Sequence, residues 1–108
     1  MTTSPGEFWL AEIPYSNQLA SKRRPVLLLW LDASDAIVAA VTSALPRTAT
    51  DLPLVDWHSS GLRTASTVRL ARLDCLEQSL LLRKLGQITA ADALQIKDTW
   101  KRLIQPQF

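Results

Sequence analysis

The sequence predicts a mainly β fold: five to seven short strands, closed by one C-terminal helix, as a small antiparallel barrel or strongly bent sheet. Three observations carry this expectation. Short β-branched and aliphatic runs recur along the chain, each bounded by turn residues. The second and third runs are joined by too few residues for a parallel crossover, so they pair antiparallel. Only the stretch after Gly86 repeats its apolar residues at helical spacing.

The elements follow in order. Gly6 opens a first strand, Glu7 to Ile13, which Pro14 ends. Tyr15 to Arg24 reads as a polar loop, because Ser16, Asn17, Gln18 and Ser21 cluster there without helical period. Pro25 starts a strand where its missing N–H does no harm, and Val26 to Leu31 follows, buried on both faces or nearly so. Asp32 to Asp35 is a turn, and Ala36 to Thr42 is the next strand. Ser43 to Asp51 is a longer loop. Leu52 to Val55 is a short edge strand, since Pro53 would break a central ladder. The segment from Asp56 to Gly61 is turn chemistry, and Thr64 to Arg72 alternates as a strand. Leu73 to Ser79 is ambiguous and allows a single helical turn. Leu80 to Leu85 is the last strand. Thr89 then offers a hydroxyl cap and Asp92 a carboxylate at the positive end of the helix dipole. Ala93, Ile96, Trp100, Leu103 and Ile104 form the helix's apolar stripe, and Pro106 stops it.

Composition narrows the function classes. The chain has 108 residues, 47% of them apolar, with four Trp, which is enough for one core and expected to form a single domain, 1–108. The lone Cys75 permits no internal disulfide, and the N-terminus has neither a basic run nor an apolar signal core, so a reducing cytoplasm is expected. The longest unbroken apolar run, Val26 to Leu31, is far below the roughly 20 residues of a membrane span. The net charge of +2 is slight, yet Lys22, Arg23 and Arg24 are contiguous while the ten acids are scattered. His58 and Cys75 form no metal-ligand cluster, and the three Gly are too far apart for a phosphate loop.

Two stretches point to chemistry. SKRRP, residues 21 to 25, sets guanidiniums at the mouth of a buried strand, where a fixed fork of donors suits phosphate oxygens. A solvated basic turn that guards an edge is the plainer account. AAVTS, residues 39 to 43, ends a strand in two adjacent hydroxyls, which strand propensity alone also explains. Arg24 and Thr42 would share a cavity if their strand ends meet, and that depends on register.

The order GEFWLAEIP, SKRRPVLLLW, AAVTS, LPLVDW with a following GL, STVRLARLDCL and LLRKLG before a helix resembles the MazF/PemK family of toxin ribonucleases, from about Gly6 to about Leu103. The resemblance implies an SH3-like barrel of the CcdB/MazF type, assembled as a homodimer. It implies metal-independent, cofactor-free cleavage of single-stranded RNA at short sequences, and inhibition by a cognate antitoxin. DNA would be met only through the antitoxin complex, and no membrane is involved. The family's catalytic pair falls on Arg24 and Thr42, with Ser43 a neighbouring phosphate contact. Lys22 and Arg23 are expected to bind RNA, and Tyr15 to offer a stacking surface. Relatives often carry Gly and Glu-Gln ahead of the arginine; this loop has no Gly, and Gln18 is the candidate for that place. His58 matches no family motif. Trp9, Trp30 and Trp100 are expected in the core, with Trp57 a weaker stacking candidate than Tyr15.

Two other functions fit the same fold. One is a CcdB-like toxin that blocks DNA gyrase by binding, although this chain ends IQPQF and not in that group's Trp-Gly-Ile. The other is an inactive RNA-binding barrel.

Overall fold

The computed structural model describes residues 2–14 and 20–108. Within these, six strands and one α-helix follow in chain order: β1 (Glu7–Pro14), β2 (Ser21–Asp32), β3 (Asp35–Thr42), β4 (Asp51–Pro53), β5 (Thr67–Glu77), β6 (Leu81–Gln87) and α1 (Ala90–Leu103). They form one antiparallel sheet in the order β4-β5-β3-β2-β1-β6.

The expected barrel is not formed: the sheet is open, with β4 and β6 as unpaired edges. Closure fails for a local reason. β4 has three residues and ends at Pro53, which has no N–H to extend a ladder. The chain then leaves the sheet, and its Ser60–Gly61 backbone lies directly on Leu85–Gly86 of β6 without strand pairing. A bent sheet replaces the closed one.

The bend comes from interruptions in register. β2 carries an extra residue where Leu28 pairs Val38 and Trp30 pairs Ile37, so Leu29 stands unpaired. β5 bends more: Ala40 pairs Arg69 while Ala39 pairs Leu73, which leaves Leu70 to Arg72 out of that ladder. The bent sheet buries both faces. Phe8, Leu27, Ala39, Val41, Val68 and Leu70 pack with Leu54, Leu62 and Ile96 of α1 on one side. Trp9, Ala11, Val26, Leu28, Val38, Leu76 and Leu81 fill the other. Neighbours such as Phe8 and Trp9, or Leu27 and Leu28, therefore serve different cores, as period-two alternation requires.

Three expectations about the elements need correction. β2 begins at Ser21, so SKRR lies in the strand and not in a loop. The end of β1 supplies its partners: Ile13 opposite Lys22, and Glu12 opposite Arg23, an attractive cross-strand pair. β5 continues to Glu77, because Leu73 and Cys75 pair with Ala39 and Ile37; only Gln78–Leu80 makes a 3₁₀ turn. Trp30 is 43% exposed and not in the core; it meets Trp100 edge to face, ring centroids 5.9 Å apart. Trp9 is buried as expected, and Trp100 half-buried.

The start of α1 is the fold's best-determined joint. Thr89 caps the helix, its hydroxyl accepting from the Asp92 N–H at 3.3 Å and donating to Asp56 at 2.8 Å. Asp92, buried, accepts the backbone N–H groups of Val55 and Asp56 at 3.0 and 2.9 Å. One capping cluster thus fastens the chain after β4 to the helix.

Candidate functional site

A cleft of about 640 Å³ opens at the end of the sheet where β2 begins and β3 ends. That volume is within the range of ordinary ligand sites. Its first wall follows from strand register. Leu27 pairs Ala39 and Val26 pairs Ala40, the last assigned pair. Pairing stops there, two residues short of Arg24 and Thr42, and both of these residues line the cleft together with Ser43. Pro25 stands where β3 pairing stops, a position that loses nothing by lacking an N–H. Arg24 also has Ala11 of β1 as its cross-strand partner, so the strand beneath the guanidinium is held from that side.

Thr42 is set up as a donor. Its Oγ1 accepts the Ala44 N–H at 3.2 Å, which leaves the hydroxyl proton free to point away from the backbone. Among the described residues Arg24 makes no ion pair.

The second wall was not expected from the sequence. Gly61 to Thr64 and Ser66 come from the segment after β4, and Arg83, Lys84 and Leu85 from β6. A regular strand would send Arg83 and Lys84 to opposite faces. β6 is not regular: Leu85 and Leu82 stand unpaired against β1, one on each side of the Arg83–Lys84 pair. Arg83, Lys84 and Leu85 all line the cleft at this irregular stretch of the β6 edge. LLRKLG was the visible signal, two adjacent cations inside an apolar run.

The lining holds four cations, Arg24, Arg63, Arg83 and Lys84, and no Asp, Glu or His. Behind it, Lys84 is tied to buried Glu7 at 2.9 Å. Burial alone would raise the Glu7 pKa. Hydrogen bonds from Lys84, from the Ser4 N–H at 2.8 Å and from the Trp9 indole at 3.0 Å outweigh it and hold the carboxyl below its usual range.

The remaining sequence candidates divide. Lys22 and Arg23 are exposed on β2 but lie outside the cleft lining. Tyr15 and Gln18 fall outside the described residues. His58 is exposed and sits edge-on to Trp57, with centroids 5.7 Å apart, and neither lines the cleft. Among the described residues no three His, Cys, Asp or Glu side chains gather as a metal site. No helix there is long and apolar enough to cross a membrane.

Residues 4–104 match the family model of the PemK-like, MazF-like toxins of type II toxin-antitoxin systems. The chain belongs to this family. No curated protein is matched by the sequence. The fold recurs in solved MazF-type structures. One is a mycobacterial endoribonuclease in complex with its cognate antitoxin, 18% identical, with a TM-score of 0.76 over 99% of this chain and 100% of that one. The Mycobacterium tuberculosis toxin MazF-mt6 is 21% identical, with a TM-score of 0.69 over 86% and 90%. MazF from Deinococcus radiodurans is 19% identical, with a TM-score of 0.71 over 96% and 97%. At these identities the likeness speaks for the fold, and the family resemblance seen in the sequence is borne out by the family model.

Proposed function

We propose that this chain is a cytoplasmic, metal-independent endoribonuclease that cuts single-stranded mRNA at selected sequences. In this reading it inhibits growth as a homodimer and is silenced by its cognate antitoxin. The observation that supports this most is that Arg24 of β2 and Thr42 of β3 line one cleft rich in cations.

RNA brings its own nucleophile. The 2′-hydroxyl gives up its proton as its oxygen attacks the adjacent phosphorus, the bond to the 5′-oxygen breaks and that oxygen takes up a proton, so the products carry a 2′,3′-cyclic phosphate and a 5′-hydroxyl. The protein's tasks are in-line placement and stabilisation of charge on the pentacovalent phosphorus. Arg24 presents a fixed fork to the equatorial oxygens, and Thr42 donates its free proton to one of them. Ser43 holds the same phosphate from the strand end. The charge in the cleft is supplied by arginine and lysine, which suits a reaction without a metal. Lys22 and Arg23, on the exposed start of β2, attract the strand at longer range.

The test is single-turnover cleavage of a long transcript, at saturating protein and in EDTA. Arg24→Lys should retain the fold and lose on the order of 10² in rate, as for removal of one oriented donor. Thr42→Val, nearly isosteric, should resemble it, whereas Arg23→Ala should mainly weaken binding. A 2′-deoxy substitution at the scissile nucleotide should abolish cutting. Fragments with 5′-phosphates, or an Arg24→Lys enzyme at the wild-type rate, would refute the assignment. Intact RNA together with slowed gyrase turnover would favour the binding toxin.

A further inference from the structure

We propose that the second wall of the cleft, Arg63 with Arg83 and Lys84, is a distinct subsite for the phosphates that flank the scissile one in single-stranded RNA. The inference rests on the nuclease reading above for the placement of the scissile phosphate, and on the wall itself for the rest.

Four features argue for it. The wall is built: its two components come from separate segments, and the Ser60–Gly61 backbone packs on Leu85–Gly86 so closely that a Cβ on either glycine would lie 2.0 Å from a carbonyl oxygen. The segment bearing Arg63 is fastened a second time, through Asp92 to the Val55 and Asp56 N–H groups. A guanidinium on such a base is held in place more cheaply than one on a free loop. The wall also gathers its cations: Arg63, Arg83 and Lys84 all line one cavity. Its charge is unbalanced: among the described residues Arg63 and Arg83 make no ion pair, and no acid lines the cleft. Finally, β1 lies between β6 and β2, so Arg83 and Lys84 start two strand spacings, about 10 Å, from Arg24, room for a neighbouring phosphate.

The three cations are not equal. Lys84 is committed to Glu7 at 2.9 Å, so its charge is largely compensated, and Arg63 and Arg83 are the two free grips. Buried Glu7 therefore limits how strongly the cleft holds RNA. A site of this kind needs release as much as capture, because both cleavage fragments keep their flanking phosphates.

The experiment measures binding apart from cutting. A fluorescein-labelled 2′-O-methyl RNA dodecamer of randomised sequence lacks the nucleophile, and its anisotropy is followed between 50 and 200 mM KCl. Arg63→Gln and Arg83→Gln should each weaken binding on the order of tenfold and lower the slope of log K against log salt by about 0.7. Glu7→Gln, which frees Lys84, should tighten binding and steepen the slope. Arg102→Gln, on the helix and paired with Asp98, should change neither. In single-turnover cleavage of the transcript, the two wall variants should need more protein for half-maximal rate while keeping the wild-type rate at saturation.

Unchanged affinity and slope in the Arg63→Gln/Arg83→Gln double variant would overturn the subsite. So would a saturating rate that collapses with binding intact, since that places the arginines in the chemistry. If the wild-type protein binds the dodecamer through this wall but cuts no transcript, the wall stands as an RNA phosphate site, while the nuclease reading and with it the flanking role fall.

Discussion

The backbone contact between Gly61 and Gly86 makes the most exposed claim about how the cleft is held open. Gly61 has φ +87°, outside the region an L side chain occupies easily, and an added Cβ would lie 2.0 Å from the Leu85 carbonyl oxygen and 2.7 Å from its carbon. Gly86 meets the same contact from the other side, 2.0 Å from the Ser60 oxygen. Contacts of this kind are not tolerated below 3.0 Å, so the two backbones must part by about 1 Å. For Gly61→Ala the left-handed conformation costs about 1–2 kcal/mol and the forced separation a further ~1–3 kcal/mol. Gly86→Ala carries only the second cost. With each kcal/mol worth about 4–8 °C in a domain of this size, Gly61→Ala should lower Tm by at least about 8 °C. The double variant should cost less than the sum, because one separation relieves both clashes. Thermal unfolding of the four proteins by circular dichroism measures this. A Gly61→Ala protein that melts with the wild type, or strictly additive costs, would show that the wall is not clamped there. The same displacement carries Arg63 away from Arg83, so RNA affinity should fall in the variants that survive.

Two further predictions concern the supports of the cleft. Asp92→Asn leaves one acceptor oxygen for two backbone donors, Val55 and Asp56, and turns an amide against the other; the orphaned group should cost about 1–3 kcal/mol in urea unfolding, while Asp98→Asn on the exposed helix face should be near neutral. Stability should also fall in acid. In Glu7 and in Asp51, where burial raises the pKa but the Arg47 N–H and the Arg69 guanidinium more than offset it, the folded carboxyl titrates below its ordinary value. A depressed carboxylate contributes stability that is present above the unfolded pKa and lost as pH falls through the folded one. Denaturant midpoints should therefore hold steady from pH 7 to about pH 5 and drop below about pH 4; Glu7→Gln combined with Asp51→Asn should flatten that drop, and an unchanged profile would refute the assignment.

Local rules were enough for much of this protein. The strand runs, the Thr89 cap and Asp92 at the helix start, and the edge character of the segment around Pro53 are short-range facts, set by side-chain branching, by proline's missing N–H and by the orphan donors of a helix end. The order of motifs was enough for the family. Register was not, because it depends on which strand meets which and where a residue is inserted. Pairing with β1 drew SKRR into β2, and pairing with β3 kept Leu73 to Glu77 extended, against the local signals in both cases. The same dependence bears on the open sheet: Pro53 limits the β4 edge locally, but nothing within LLRKLG says that β6 will meet Ser60–Gly61 by backbone contact and not by strand pairing. At the site, Arg24 and Thr42 were visible as candidates, since one stands at the mouth of an apolar strand run and the other ends the next run. Arg63, Arg83 and Lys84 were not, because the contact of the Ser60–Gly61 loop with β6 and the loop's tie to Asp92 bring two distant segments to one cleft. Composition and period can say which residues lie near the surface; only long-range pairing decides which of them face one another across a cleft.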